Sequence, residues 1–211
     1  MRHADFAAAQ ESSRAATLRA VADWHALLDE DAGRLELESA RLMKAVAEVE
    51  SGLGTRLDLS TWRLAATEDL AYLPGGPLHE PARWAKHGTM AASAWGPWQV
   101  MYPVAVRLGY PATTRPTDDK DGLWRADVGA QIAVKLLAAV CRDVASFRAT
   151  AEGRLDRRDA LALVGDVLNA PAHNERAGAP KGYSAALRDA YALHGHRQRA
   201  AARALPVGGT L

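Results

Sequence analysis

Apolar residues recur at helical spacing along most of the chain, and the breaks between these runs carry Gly, Pro and clustered polar residues. The clearest run places Val128, Ile132, Leu136, Val140 and Val144 four residues apart and predicts a core helix over Asp127 to Phe147. Leu18, Val21, Trp24 or His25, and Leu28 mark an amphipathic helix over about Ala4 to Asp31, closed by Asp29-Glu30-Asp31 and Gly33. A second helix is expected from Arg34 to Ser51, stopped by Gly52 and Gly54 because glycine tolerates the left-handed turn that ends helices. Pro103 suits a first helical turn and Gly109 a helix end, so Pro103 to Leu108 reads as a short helix. Asp159 to Leu168 reads as an apolar helix blocked by Pro171, and Tyr183 to about Ala204 as the last helix. Between Leu53 and Ala94 the period weakens. Pro74-Gly75-Gly76-Pro77 makes a turn there, and Trp62, Tyr72 and Trp84 suggest a folded, covering segment in which packing is the first role for the tryptophans. The expectation is an all-α, mostly helical fold: one compact domain over residues 34–204, a helical arm over 1–33 and a short tail over 205–211.

Within the second predicted helix, counting back three, four and seven residues from Glu50 lands on Ala47, Val46 and Met43, so this carboxylate shares the apolar face. Glu48 lies a little over half a turn round and is expected in solvent. Burial raises a carboxyl pKa, and a raised pKa lets the group hold and deliver a proton near neutrality, which describes a general acid. Position alone also describes a solvated helix end, the commoner case.

Residues downstream shift that balance. Glu50-Ser51, then Gly96-Pro97-Trp98-Gln99-Val100-Met101, then Leu168-Asn169-Ala170 follow the order of a three-part signature, Glu-Ser, Gly-Leu-Met-Gln-Leu-Met and Ala-Tyr-Asn. In this the chain resembles the lytic transglycosylases with the goose-type lysozyme-like fold, an α+β superfamily that is mostly helical, in a phage-type variant, over about Arg34 to Tyr191. The resemblance implies Glu50 as the single catalytic acid and base. It also implies Gln99 as a hydrogen-bonding partner of the glycan, Met101 as an apolar contact, Asn169 as the amide of the third motif and Tyr183 as a glycan contact at a helix start. Pro97 and Trp98 replace Leu-Met, Trp62-Arg63 is at most a remnant of a further family stretch, and Leu168 stands where the family has a tyrosine whose hydroxyl approaches the acid. Ser51 has no evident His-Asp pair, so its expected role is a hydrogen bond that orients Glu50.

The chemistry so implied is cleavage of the bond between N-acetylmuramic acid and N-acetylglucosamine, with a 1,6-anhydro ring closed by the substrate's own hydroxyl. One carboxyl suffices for that, where a hydrolase needs a spaced pair. Two alternatives stay open: a goose-type muramidase using Asp118, Asp119 or Asp121 to activate water, and a non-catalytic glycan-binding or assembly protein.

Composition adds exclusions. With 211 residues and 48% hydrophobic side chains, the chain can bury a core, and a net charge of +1 supplies no global field for nucleic acid. Cys141 is the sole cysteine, expected as a small buried hydrophobe. The Asp118-Asp119-Lys120-Asp121-Gly122 loop lacks a calcium loop's full ligand set, and His194 and His196 read as part of a solvated basic tail, so neither a metal nor a cofactor is expected. The expected partner is the peptidoglycan glycan strand, without membrane insertion. The first residues lack the apolar run of a secretory signal, so the expectation is synthesis in the cytoplasm and action on the cell wall or in the periplasm, with release through a phage-made membrane lesion, carriage in a virion or a signal outside this sequence as the routes.

Overall fold

The computed structural model describes residues 3–57, 67–68, 72–150, 157–168 and 182–204, and it is mostly helical. Helix α1 spans His3–Trp24, a 3-10 turn follows over His25–Leu28, and α2 spans Asp29–Gly33. Then come α3 (Ser39–Ser51), β1 (Thr67–Glu68), α4 (Pro81–His87), a 3-10 turn (Gly88–Ala92), β2 (Ser93–Trp95), β3 (Val100–Met101), α5 (Tyr102–Arg107), α6 (Ala126–Thr150), α7 (Arg157–Leu168) and α8 (Tyr183–Ala204).

Helix α6 is the centre. It meets α1, α2, α3, α7 and strand β3, and its Ala130, Ala133, Val134, Leu137, Val140, Cys141 and Val144 are buried. Small side chains on one stripe let neighbouring helices approach this helix closely, and every methylene so removed from water contributes about 0.8 kcal/mol. Helix α8 packs against both α3 and α7, and so closes the bundle over α3. Helix α1 adds Ala20 and Val21 to the same core and is tied to the loop after α3, where Gln10 Nε2 donates to the Thr55 carbonyl at 2.8 Å and Ser13 Oγ to that of Gly54 at 2.7 Å.

Two predicted boundaries move. The first helix breaks at Trp24 rather than running to Asp31. The second begins at Ser39 rather than Arg34, because residues 34–38 form a turn in which Leu35 and Leu37 are buried and Glu36 adopts a left-handed φ of 57°. The breaks coincide with a polar knot in which Ser39 Oγ donates to Asp29 Oδ1 and meets His25 Nδ1 at 3.1 Å.

The sheet has the order β1-β2-β3, antiparallel, with Ala94 opposite both Thr67 and Met101. Its β2–β3 turn is the Gly96 stretch: Gln99 N donates to the Gly96 carbonyl at 3.1 Å. Gly96 has φ 76°, and a Cβ there would lie 2.5 Å from the Leu123 carbonyl oxygen, so glycine is needed for conformation and for space. Trp84 is half-buried against the core with its ring edge-on to His79, in keeping with a packing role, whereas Trp62 and Arg63 lie outside the described residues. Among the described residues, no helix is long and apolar enough to cross a membrane.

Candidate active site

Glu50 sits in the final turn of α3, which Gly52 closes with φ 60°. Three consecutive left-handed residues follow, and the second of them is Leu53 at φ 56°, whose N–H donates to the Ala47 carbonyl at 2.9 Å and whose side chain is buried. The helix end is thereby fixed, and Glu50 is presented on the wall of a cavity rather than on a fraying terminus.

That cavity encloses about 30 Å³ of room, enough for one or two waters, inside an envelope of about 520 Å³ that includes open solvent. Its polar lining is Glu50, Gln99 and Tyr183, and apolar side chains from the hairpin, α3, α5, α6 and α7 form the rest, among them Val46, Met101, Leu137 and Leu168. Three elements distant in sequence converge here because the Gly96 turn lies against α6 and α8 packs across α3.

Glu50 is half-buried, and the hydroxyl of Tyr183 donates to its Oε1 at 2.8 Å. Tyr183 is the first residue of α8 and is itself 5% exposed, so the donor is held by packing. Oε1 is thereby an acceptor of a hydroxyl hydrogen bond. The sequence placed Tyr183 at a helix start as a glycan contact; the structure places its hydroxyl on the carboxylate. Leu168, where the resemblance has a tyrosine, lines the same cavity as a buried apolar wall.

Gln99 is 8% exposed, and its side-chain Nε2 donates to the Gly96 carbonyl at 2.9 Å. Its φ of 46° is left-handed, a conformation that costs a non-glycine residue on the order of 1–3 kcal/mol and clusters at binding and catalytic sites. Met101 is buried on β3 and shares the cavity wall. Asn169 lies outside the described residues.

Ser51 departs from its expected role. It is 1% exposed, and its Oγ meets the Ala47 carbonyl at 3.1 Å and donates to the Pro97 carbonyl at 2.7 Å, while the Gly54 N–H donates back to it at 2.8 Å. It does not touch the Glu50 carboxylate. It welds the end of α3 to the Gly96 turn, and the i−4 carbonyl contact is the usual outlet for a helical serine. Trp98 makes a second weld, its Nε1 donating to the Met43 carbonyl at 3.0 Å.

Glu48 and His194 also differ from expectation. Glu48 is half-buried rather than fully in solvent, and its Oε2 stands 3.6 Å from Nε2 of His194. His194 is 7% exposed instead of belonging to a solvated tail, and its Nε2 has no hydrogen-bond partner among the described residues. Burial pulls the His194 pKa below its ordinary value, against the opposing pull of Glu48.

The remaining candidates fall elsewhere. Asp118 accepts the Lys120 and Asp121 N–H groups at 2.9 and 2.8 Å, bonds that hold its carboxyl below the usual range; neither it, Asp119 nor Asp121 lines the cavity. Cys141 is buried, and desolvation pushes its thiol up to about 12, far from a nucleophile's value. Among the described residues, no group of three or more His, Cys, Asp and Glu side chains is placed to hold a metal ion.

Compared with known proteins, the chain matches no family model, no curated protein and no solved structure. The functional reading therefore rests on the site itself.

Proposed function

We propose that this chain is a peptidoglycan-cleaving lytic transglycosylase with a lysozyme-like fold, and that Glu50 is its single acid and base. The observation that carries the reading is one cavity that joins Glu50, Gln99, Met101 and Leu168, one or more residues from each of the three ordered motifs, with Tyr183 from the start of α8. In the proposed cycle Glu50 gives its carboxyl proton to the glycosidic oxygen between N-acetylmuramic acid and N-acetylglucosamine. The C1–O bond breaks, the muramic C6 hydroxyl oxygen bonds to C1, and its proton returns to Glu50. No water is consumed, and the carboxyl ends as it began.

Tyr183 holds the carboxyl in one orientation throughout, supplying the hydroxyl for which Leu168 has no substitute. The apolar walls limit water around the carboxyl and suit the acetamido and lactyl methyl groups of the two sugars. The hydrolytic alternative needs a second carboxylate for water, and the Asp118 loop contributes none to this cavity. The test is the sugar termini of purified wall after digestion, read by mass spectrometry. The transglycosylase reading expects 1,6-anhydro ends; reducing ends would replace it with hydrolysis, and intact strands with a binding role.

A further inference from the structure

A second cavity lies between α1 and the start of α6, with about 370 Å³ of room, at the lower end of the range of about 300–1,000 Å³ that suits small ligands. Ala16, Ala20 and Ala126 pave it, and Arg19, Asp23, Trp124 and Arg125 supply its functional groups. The machinery around Glu50 uses none of these.

The wall on the α6 side is rigid. Trp124 Nε1 donates to the Asp118 carbonyl at 2.8 Å, which sets the plane of the indole. A Cβ on Gly122 would stand 2.7 Å from Trp124 Cδ1 and 2.3 Å from the Asp118 carbonyl oxygen, so a glycine beneath the ring is what lets it sit there. Arg125 grips both carboxylate oxygens of Asp127 at 3.1 and 3.0 Å and donates to the Asp119 carbonyl at 2.9 Å, so its fork is held in one orientation. The α1 side is the reverse: Arg19 and Asp23, one turn apart and exposed, make no hydrogen bond or ion pair with other described residues.

A fixed aromatic face beside paired guanidinium and carboxylate groups suits a sugar ring. The indole covers the ring's C–H face, and the charged groups offer donors and acceptors to adjacent hydroxyls. Two cations facing two carboxylates favour neither a simple anion nor a simple cation. On the α6 side the groove approaches the Glu50 cavity: a Cβ on Gly129, one turn into α6, would lie 3.8 Å from Cε3 of Trp98 in the cavity wall.

We propose that the groove formed by Arg19, Asp23, Trp124 and Arg125 is a second saccharide site that holds a segment of the glycan strand away from the cleaved bond. The ligand class rests on the reading of the Glu50 cavity; the groove's geometry does not.

The full chain carrying Glu50→Gln, titrated with N-acetylglucosamine hexamer and with solubilised wall glycan, tests this through indole N–H resonances in NMR. The expected result is a saturable shift of Trp124 Nε1–H distinct from that of Trp98, and about tenfold weaker retention on intact sacculi for Trp124→Ala and for Arg19→Ala. Arg19→Ala alters an exposed helix position without partners, so it keeps the test valid should Trp124→Ala fold poorly. A Trp124 resonance unmoved by both glycans, unchanged retention in Arg19→Ala, or a shift given by inorganic phosphate and not by glycan would each overturn the site. A Trp124 shift in a chain whose parent never cleaves wall would keep the groove and remove the transglycosylase, and cleavage without that shift would do the reverse.

Discussion

Two glutamates two residues apart on α3 both face α8, and they meet different partners. Glu50 receives a hydrogen bond at 2.8 Å from a buried tyrosine at the start of α8, on the wall of a cavity. Glu48 stands 3.6 Å from a buried histidine eleven residues further along the same helix, in the α3–α8 seam, and it is not among the residues that line the Glu50 cavity. The tyrosine fixes the carboxylate's geometry as a hydrogen-bond donor. The histidine titrates, so its pairing links the seam to pH. The same helix pair thus carries a site suited to proton transfer at one place and a pH-sensitive joint at another. What separates them is the partner and the empty volume beside it, not the carboxylate.

Removing the Tyr183 hydroxyl sharpens this contrast most. Tyr183→Phe keeps the packing and removes the hydroxyl that donates to Oε1, so kcat for wall digestion should fall about tenfold to a hundredfold with KM little changed. A rise in KM with a fall in kcat and a drop in Tm would instead make Tyr183 a packing residue. Ser51→Ala comes next. It strands the Gly54 N–H and the Pro97 carbonyl and should cost about 1–3 kcal/mol in denaturant unfolding, because unmade buried bonds are expensive. If stability stays level, the weld between α3 and the Gly96 turn is not what holds Glu50 in place.

The seam responds more gently. Arg41 lies over the Tyr191 ring at 4.0 Å from its centroid, and a Cβ on Gly195 would come within 2.2 Å of its guanidinium. Gly195→Ala should displace Arg41 and lower stability by about 1 kcal/mol, less the gain in helix propensity, with activity retained.

The smallest effect is pH dependence. His194 faces Glu48, Lys44 and Arg41 on α3 and Arg197 on its own helix, and its pKa lies below the ordinary 6.5 chiefly through burial. Above that value the ring is neutral in both folded and unfolded chains, and its contribution is fully present. As pH falls below it the unfolded chain takes up the proton first, so stability declines until the buried ring itself protonates. His87, also lowered by burial, adds in the same direction. Tm followed from about pH 7 to about pH 5 should fall less steeply in His194→Leu than in the parent; equal slopes would remove His194 from the acid limb.

Much of the helical frame was legible because its signals are long or sharp. The four-residue recurrence along α6, Pro103 and Gly109 around α5, and Gly52 after α3 each act through one local rule. The hairpin was not legible as strands, since two or three residues carry no alternation to detect. The turn over residues 34–38 was hidden by Leu35 and Leu37, which extend an apolar pattern while packing from a non-helical backbone. The burial of His194 had a signal that went unread: Leu187, Tyr191 and His194 fall on one helical face, and all three are buried. The hydroxyl beside Glu50 had none, because the contact spans 133 residues and depends on how α8 crosses α3.

The central claim is that the proton moves at position 50 and not two residues earlier. Purified sacculi incubated with the parent chain, Glu50→Gln and Glu48→Gln, with released 1,6-anhydro-muropeptides quantified by mass spectrometry, test it directly. Glu50→Gln should release none while keeping the parent's circular dichroism and melting, and Glu48→Gln should stay within a few-fold of the parent. Anhydro products from a folded Glu50→Gln chain, or their loss in Glu48→Gln alone, would contradict it.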